Sequence, residues 1–304
     1  MVGLSSILGQ IIIYTTIYSL VALGIVVSGR TGVFNVGGEG IMLTAASTGF
    51  MTAYFSGSWL AGYFVAALTG MALGLILVLV HEYLRVNQFV VGIVMVIFGA
   101  GLSDLLYKII VGVRLQAPRA PRVPLVRIPG VSTVPVLRAL FNHDPIVYFM
   151  YAATAIAWWF FYRTKIGLET RAIGELPQAA DVVGVHVRRR RIIATGVGSS
   201  LIGIAGAYLP IFVTGTYNPD LSAGRGFMAI GIAIFAGWRP QRAILGAFLF
   251  AAVEVLSFQL QLSVPGVPFQ FFLMLPFAAV LFIMVVFRRF IDFPASIGKP
   301  YHRE

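Results

Sequence analysis

The feature that most constrains this chain is a series of uninterrupted apolar runs, each long enough to cross a lipid bilayer. A bilayer's hydrocarbon core is ~30 Å thick, so a spanning helix needs ~20 apolar residues. The runs Ile7–Ser28, Trp59–Val80, Phe89–Val111 and Ile192–Val213 all meet that length. In lipid the backbone must satisfy its own hydrogen bonds, which leaves helices or a closed barrel. The runs are continuous rather than alternating, which excludes a barrel. Only 11% of the 304 residues are charged, 59% are hydrophobic, and mean hydropathy is +0.90. A soluble domain carries about 25% charged residues. The expected fold class is therefore an all-α integral membrane protein, a polytopic helical bundle.

Further spans are expected at Gly40–Phe55, Ile146–Tyr162, Phe227–Trp238, Ala243–Leu260 and Phe269–Phe287. The second and seventh of the nine are short for a full crossing, so the expected number lies between eight and ten. The first run has no basic residue before it and reads as a span rather than a removed signal peptide. There is no cysteine, hence no thiolate chemistry. The net charge of +11 sits between the apolar runs and reads as topology and contact with membrane lipid, not as a nucleic-acid surface. Fifteen of the 22 Lys and Arg fall in alternate connections, those holding Arg30, Arg85, Arg163 to Arg171, Arg188 to Arg191, Arg239, Arg242 and the C-terminal tail. Positive charge marks the cytoplasmic side, which predicts the N-terminus outside and the C-terminus inside. The Pro- and Arg-rich stretch 112–144 is then an extended extracytoplasmic loop.

Two segments resemble each other. Thr31-Gly32-Val33-Phe34-Asn35 followed by Gly38-Glu39-Gly40-Ile41-Met42 is matched by Thr214-Gly215-Thr216-Tyr217-Asn218 followed by Gly224-Arg225-Gly226-Phe227-Met228. Each copy follows a full-length span and precedes a short one, and five spans separate them. An odd offset makes an inverted-topology repeat, the arrangement of many transporters. The chain then divides into a first repeat over about 7–111, a connector span at 146–162, a cytoplasmic loop at 163–191, a second repeat over about 192–287 and a tail at 288–304. All of it forms one transmembrane domain.

Polar residues within or beside the spans are few. Glu254 lies mid-span, costly in lipid unless it faces the interior or water. Asn35, Glu39, Asn218, Asp220 and Arg225 flank the two short segments, where amides and charged groups can bind hydroxyls or base edges. With Glu254 they are the candidate substrate pathway. Phe34, Tyr217 and Phe227 are aromatic surfaces on which a flat ligand could stack, plain packing being the alternative for Phe227. Asp104 and Lys108 are spaced for an ion pair on one helix, and Gly70 and Gly74 for close helix packing.

The cytoplasmic loop is the most informative segment. Pro177 suits the first turn of a short helix, Gln178–Val183 can extend it, and Gly184 can end it. Within it Arg171, Ala172, Gly174, Glu175, Pro177, Ala179, Ala180 and Gly184 form a pattern that resembles the coupling-helix motif of ABC-importer permeases in the branched-chain amino acid and simple-sugar group. The pattern departs at Leu176, where Asn is usual and would supply a local hydrogen bond. Gly32 to Gly40 similarly resembles the nucleoside and simple-sugar branch. The resemblance covers nearly the whole chain and implies the all-helical type II importer transmembrane domain. It also implies a permease subunit for a nucleoside or simple sugar in a prokaryotic cell membrane. Its partners would be ATPase subunits that bind ATP and Mg, a second permease chain that is related but not identical, and an extracytoplasmic solute-binding protein.

The residues themselves show no enzyme. Lys108, Lys165 and Lys299 are the only lysines and none stands in Gly-x-x-x-x-Gly-Lys-Ser/Thr. His81-Glu82 lacks the second His of a zinc-protease helix, and no Gly-x-Ser-x-Gly is present. No metal or cofactor is expected on the chain. The rival readings are a branched-chain amino acid permease, an ion-coupled secondary transporter and, least favoured, an intramembrane enzyme.

Overall fold

The computed structural model describes residues 4–112, 118–127, 140–264, 266–286, 292–299 and 301. Four helices come first: α1 (Leu4–Gly29), α2 (Gly38–Ser56), α3 (Trp59–Leu84) and α4 (Gln88–Ile110). After the loop come α5 (Pro145–Arg163), α6 (Lys165–Glu175) and α7 (Pro177–Val182). The second group is α8 (Val187–Tyr208), α9 (Arg225–Phe235), α10 (Pro240–Ser263) and α11 (Phe269–Val286). All nine expected spans coincide with helices, and Phe287 lies outside the described residues. Among the described residues six helices are long and apolar enough to cross a membrane: α1, α3, α4, α5, α8 with its extension, and α10. Of the other three, α2 is almost wholly enclosed by protein, α9 has 11 residues and α11 has 18.

α8 differs from expectation at both ends. It begins at Val187 rather than Ile192, so Arg188 to Arg191 are its first turns and not part of the loop. Arginine is a good helix former and nothing in the run stops a helix. At the other end α8 passes into a π-helical turn, Leu209–Val213. Pro210 has no N–H to give and its ring crowds the carbonyl four residues back, so the ladder widens by one residue. Thr214 N–H accordingly donates to Leu209 O at 2.9 Å.

α1 and α8 form the centre, with 83% and 67% of their spanning windows buried, against 28% for α4 and α5. They meet through glycines. A Cβ on Gly24 would lie 2.3 Å from Gly198 O, and one on Gly198 would lie 2.3 Å from Gly24 O. Backbones this close need residues without side chains, the usual way helices associate in lipid. Gly70 and Gly74 play the same part between α3 and α8, against Ser199 and Gly203. Around the centre, packing is exchanged between the two groups of four. α2 and α3 pack on α8, while α9 and α10 pack on α1. α2 also meets α3 and α4, and α9 meets α10 and α11.

The described part of the long loop carries a two-residue antiparallel pairing, β1 (Val126–Arg127) with β2 (Asn142–His143). Asp144 then caps α5, accepting from Ile146 N–H at 2.9 Å and from the Tyr208 hydroxyl at 2.6 Å. Burial raises the Asp144 pKa, partly opposed by those two donors. A raised folded-state pKa stabilises at low pH and is lost as pH rises through it. Wild-type stability should therefore fall as pH climbs from the ordinary value of 3.8 to the raised one. Asp144→Asn, whose amide oxygen can accept from Ile146 N–H while its NH₂ donates to the Tyr208 hydroxyl oxygen, should flatten that slope in thermal melts of detergent-solubilised protein.

Candidate functional site

The two short helices α2 and α9 begin side by side, and Glu39 joins them. Its Oε1 accepts from the Ser222 hydroxyl at 2.5 Å and Gly224 N–H at 2.9 Å, and its Oε2 accepts from Gly226 N–H at 2.6 Å. These are the otherwise unpaired amides at the start of α9, where a carboxylate also complements the helix dipole. Gly226 allows the approach, since a Cβ there would lie 2.5 Å from Glu39 Oε2. Glu39 is thus a clasp between the two groups of helices rather than a free group on a pathway. Asn35 is likewise fully buried and donates to Ser199 Oγ at 2.9 Å. Asn218 and Asp220 stand exposed in the turn before α9.

Glu254 is not isolated. Arg225, the first residue of α9, donates to its Oε1 from Nη2 at 2.6 Å and from Nε at 3.1 Å, and the Tyr18 hydroxyl donates to Oε2 at 2.6 Å. A buried carboxylate is held this way only when its lone pairs are satisfied. Arg225 and Glu254 form one wall of a cavity of about 150 Å³, closed by Ser257, Phe258, Gln261 and Phe277 from α10 and α11. Of the candidate pathway residues, these two reach a cavity together.

Two expected ligand platforms are core residues instead. Phe34 is packed edge-on to Phe89 and Trp238, and Tyr217 is enclosed by Phe50 and Tyr107. Both are buried, so neither face is open to a ligand; Phe227 is 46% exposed. The Asp104–Lys108 pair forms as spaced, at 2.6 Å.

The opposite region is the loop between α5 and α8. Thr164 caps α6, a helix the sequence did not suggest, by accepting from Gly167 N–H at 2.9 Å. α7 follows at Pro177 as expected, and Leu176 in the capping position makes no side-chain bond. Gly184, at φ +88°, ends the turn, a conformation glycine adopts without strain. Ala179 is exposed, but Ala180 turns inward onto Ile173, Val187 and Tyr301. Ala180 is therefore a core residue of the loop. Gly174 is buried against Arg30 O, and its carbonyl accepts from Ser296 N–H at 2.9 Å and Ser296 Oγ at 2.7 Å. Glu175 accepts from Ala295 N–H at 3.3 Å, Arg171 lies over the Tyr162 ring, and Ala172 is exposed. The outward surface carries apolar side chains, with Leu176 64%, Val182 88% and Val183 78% exposed, beside exposed Glu175 and Gln178.

Behind this surface lies a network that sequence reasoning missed. Arg191, with no exposed surface, donates to Glu82 Oε1 at 2.6 Å, Thr31 O at 2.9 Å and Lys299 O at 3.2 Å. Arg30 Nε donates to Trp238 O at 2.6 Å. These bonds tie the ends of α1, α3, α8 and α9 to one another and to the tail, and the loop joins them through Gly174 on Ser296 and Glu175 on Ala295. The one available signal was a lone acid, Glu82, near the end of an apolar span.

Residues 7–286 match the family model described as the permease component of a branched-chain amino acid transport system. The chain belongs to this permease family. Among curated relatives of the permease, a putative glucose ABC transporter permease of Haloferax volcanii is 34% identical, over 81% of this chain and 75% of its own. The guanosine ABC transporter permease NupQ of Bacillus subtilis is 30% identical over 98% of this chain and 97% of its own. The nucleoside ABC transporter permease NupC of Lactococcus lactis is 29% identical over the same shares. The permease is a multi-pass membrane protein of helical build.

Proposed function

We propose that this permease is one of two membrane subunits of an ATP-driven importer for a nucleoside or simple sugar. The observation that carries the reading is the α6–α7 loop, an exposed apolar knob on a base tied to both groups of helices. That is what a surface needs to pass an ATPase's motion into the membrane. ATP and Mg are bound by that partner. The second membrane subunit is a related, non-identical chain, and an extracytoplasmic binding protein delivers the solute. The loop and the C-terminus face the cytoplasm. The exchanged packing of α1–α4 and α8–α11 supports two repeats of opposite topology that rock about the Glu39 clasp. The solute passes beside the Arg225–Glu254 cavity. The names of the relatives support the solute class, since those covering nearly the whole chain are named for guanosine and nucleosides.

The reading is tested by pull-down of tagged chain from gently solubilised membranes. Wild type should bring down an ATPase subunit. Val182→Glu with Val183→Glu should release it without lowering the melting temperature, because both side chains are solvent-facing and surface changes alter stability by about 0.5 kcal/mol or less. Ala180→Trp should also release it, but with a lower melting temperature, since the loop core must open. An ATPase retained by the Val182/Val183 variant would place the contact elsewhere.

A further inference from the structure

Four consecutive arginines open α8, and the fold gives them different surroundings. Arg191 is buried on Glu82. Arg190 donates to Glu169 Oε2 at 2.6 Å. Arg188 and Arg189 make no ion pair among the described residues. Arg188 lies 5.7 Å over the Tyr83 ring, and its Nε is buried without a hydrogen-bond partner. Both face a cavity of about 440 Å³, with Tyr83, His186, Ile193 and Tyr301 on its other walls. One carboxylate, Asp181, also reaches it, against two guanidinium groups. A positive-inside bias asks only for charge at this depth. It does not ask for a cavity, nor for a guanidinium with a spare buried donor.

Apolar surface continues from the cavity along both helices. Ile193 and Val197 follow Arg189 at four-residue steps on α8, and Leu79 and Ile76 precede Tyr83 on α3; all four are exposed. Such spacing keeps each set on one face. A basic head with two apolar tracks beside it matches an amphiphile with an anionic head.

We infer that this cavity binds one anionic phospholipid, its phosphodiester against Arg188 and Arg189 and its acyl chains along Ile193, Val197, Leu79 and Ile76. Guanidinium groups pair with phosphate through parallel hydrogen bonds, and basic pockets between spans on the cytoplasmic side hold lipid heads. A free phosphate would leave the tracks unused. The inference rests on the proposed orientation only for which leaflet supplies the lipid; it is independent of the solute. Val187 and Tyr301, which wall the cavity, also pack on Ala180, so an occupied site braces the coupling loop.

The test is native mass spectrometry of the detergent-solubilised full chain titrated with phosphatidylglycerol or phosphatidylcholine of matched acyl chains. Phosphatidylglycerol should bind about tenfold more tightly and raise the melting temperature. Arg188→Gln with Arg189→Gln should abolish the preference. The exposed single change Arg189→Gln should weaken it with the unliganded melting temperature unchanged, and Arg190→Gln should retain it. Equal binding of the two lipids, or a preference that survives the double substitution, would overturn the inference. Displacement of the lipid by millimolar inorganic phosphate would make this a free-anion site and overturn it. Displacement by added ATPase subunit would assign the surface to that protein, with the same consequence.

Discussion

Arg191→Met should cost the permease about 3–5 kcal/mol of stability, the penalty of leaving a buried charge without its partner. Glu82 would remain with no exposed surface, and among the described residues the one other ion-pairing group is His81, at 3.9 Å. Thr31 O and Lys299 O would each lose a donor. Because these groups bind the start of α8 to the ends of α1 and α3 and to the tail on which the loop packs, the loss should appear twice. The detergent-solubilised chain should melt several degrees lower, and the ATPase should be recovered poorly although α7 itself is unchanged. Arg191→Met combined with Glu82→Leu should regain most of the melting temperature, as replacing a buried pair by apolar groups is often neutral. If the single substitution melts like wild type, Arg191 is no more than a topological anchor.

Glu39→Ala should be of similar severity, for a different reason. It leaves the Ser222 hydroxyl and the amides of Gly224 and Gly226 without their acceptor. Each charge-assisted bond to a carboxylate contributes about 1.5–3 kcal/mol, and the cost should reach about 3 kcal/mol. Glu39→Gln should be intermediate. Its amide oxygen can serve one side of the clasp, while its NH₂ would face a donor on the other. Uptake should fall more steeply than stability if the clasp is where the two groups of helices move against each other. A Glu39→Gln protein with full stability and full uptake would show that the clasp has no part in transport.

The legible features of this chain are those set within one or two helical turns. Continuous apolar runs mark spans because lipid demands self-satisfied helices. Pro177 and Gly184 bracket α7 because one fits a helix start and the other tolerates positive φ. Asp104 and Lys108 meet because they lie one turn apart. What escaped is long-range. Glu39 and Gly226 are 187 positions apart, and Arg191 and Glu82 are 109 apart. No local spacing encodes either meeting. The same holds for Phe34 and Tyr217: an aromatic beside an Asn suits a ligand platform or a core equally until its neighbours are known. Ala180 was legible as small but not as inward, because the turn of a six-residue helix against the tail decides which alanine faces out.

The most direct test of the central claim is uptake of labelled guanosine into proteoliposomes that hold the permease pair and its ATPase, with the binding protein on the substrate side. The account predicts uptake that requires ATP on the opposite side, survives collapse of ion gradients by ionophores, and is lost with Val182→Glu and Val183→Glu. Uptake that proceeds without ATP and is abolished by an ionophore would contradict it and make the chain an ion-coupled transporter.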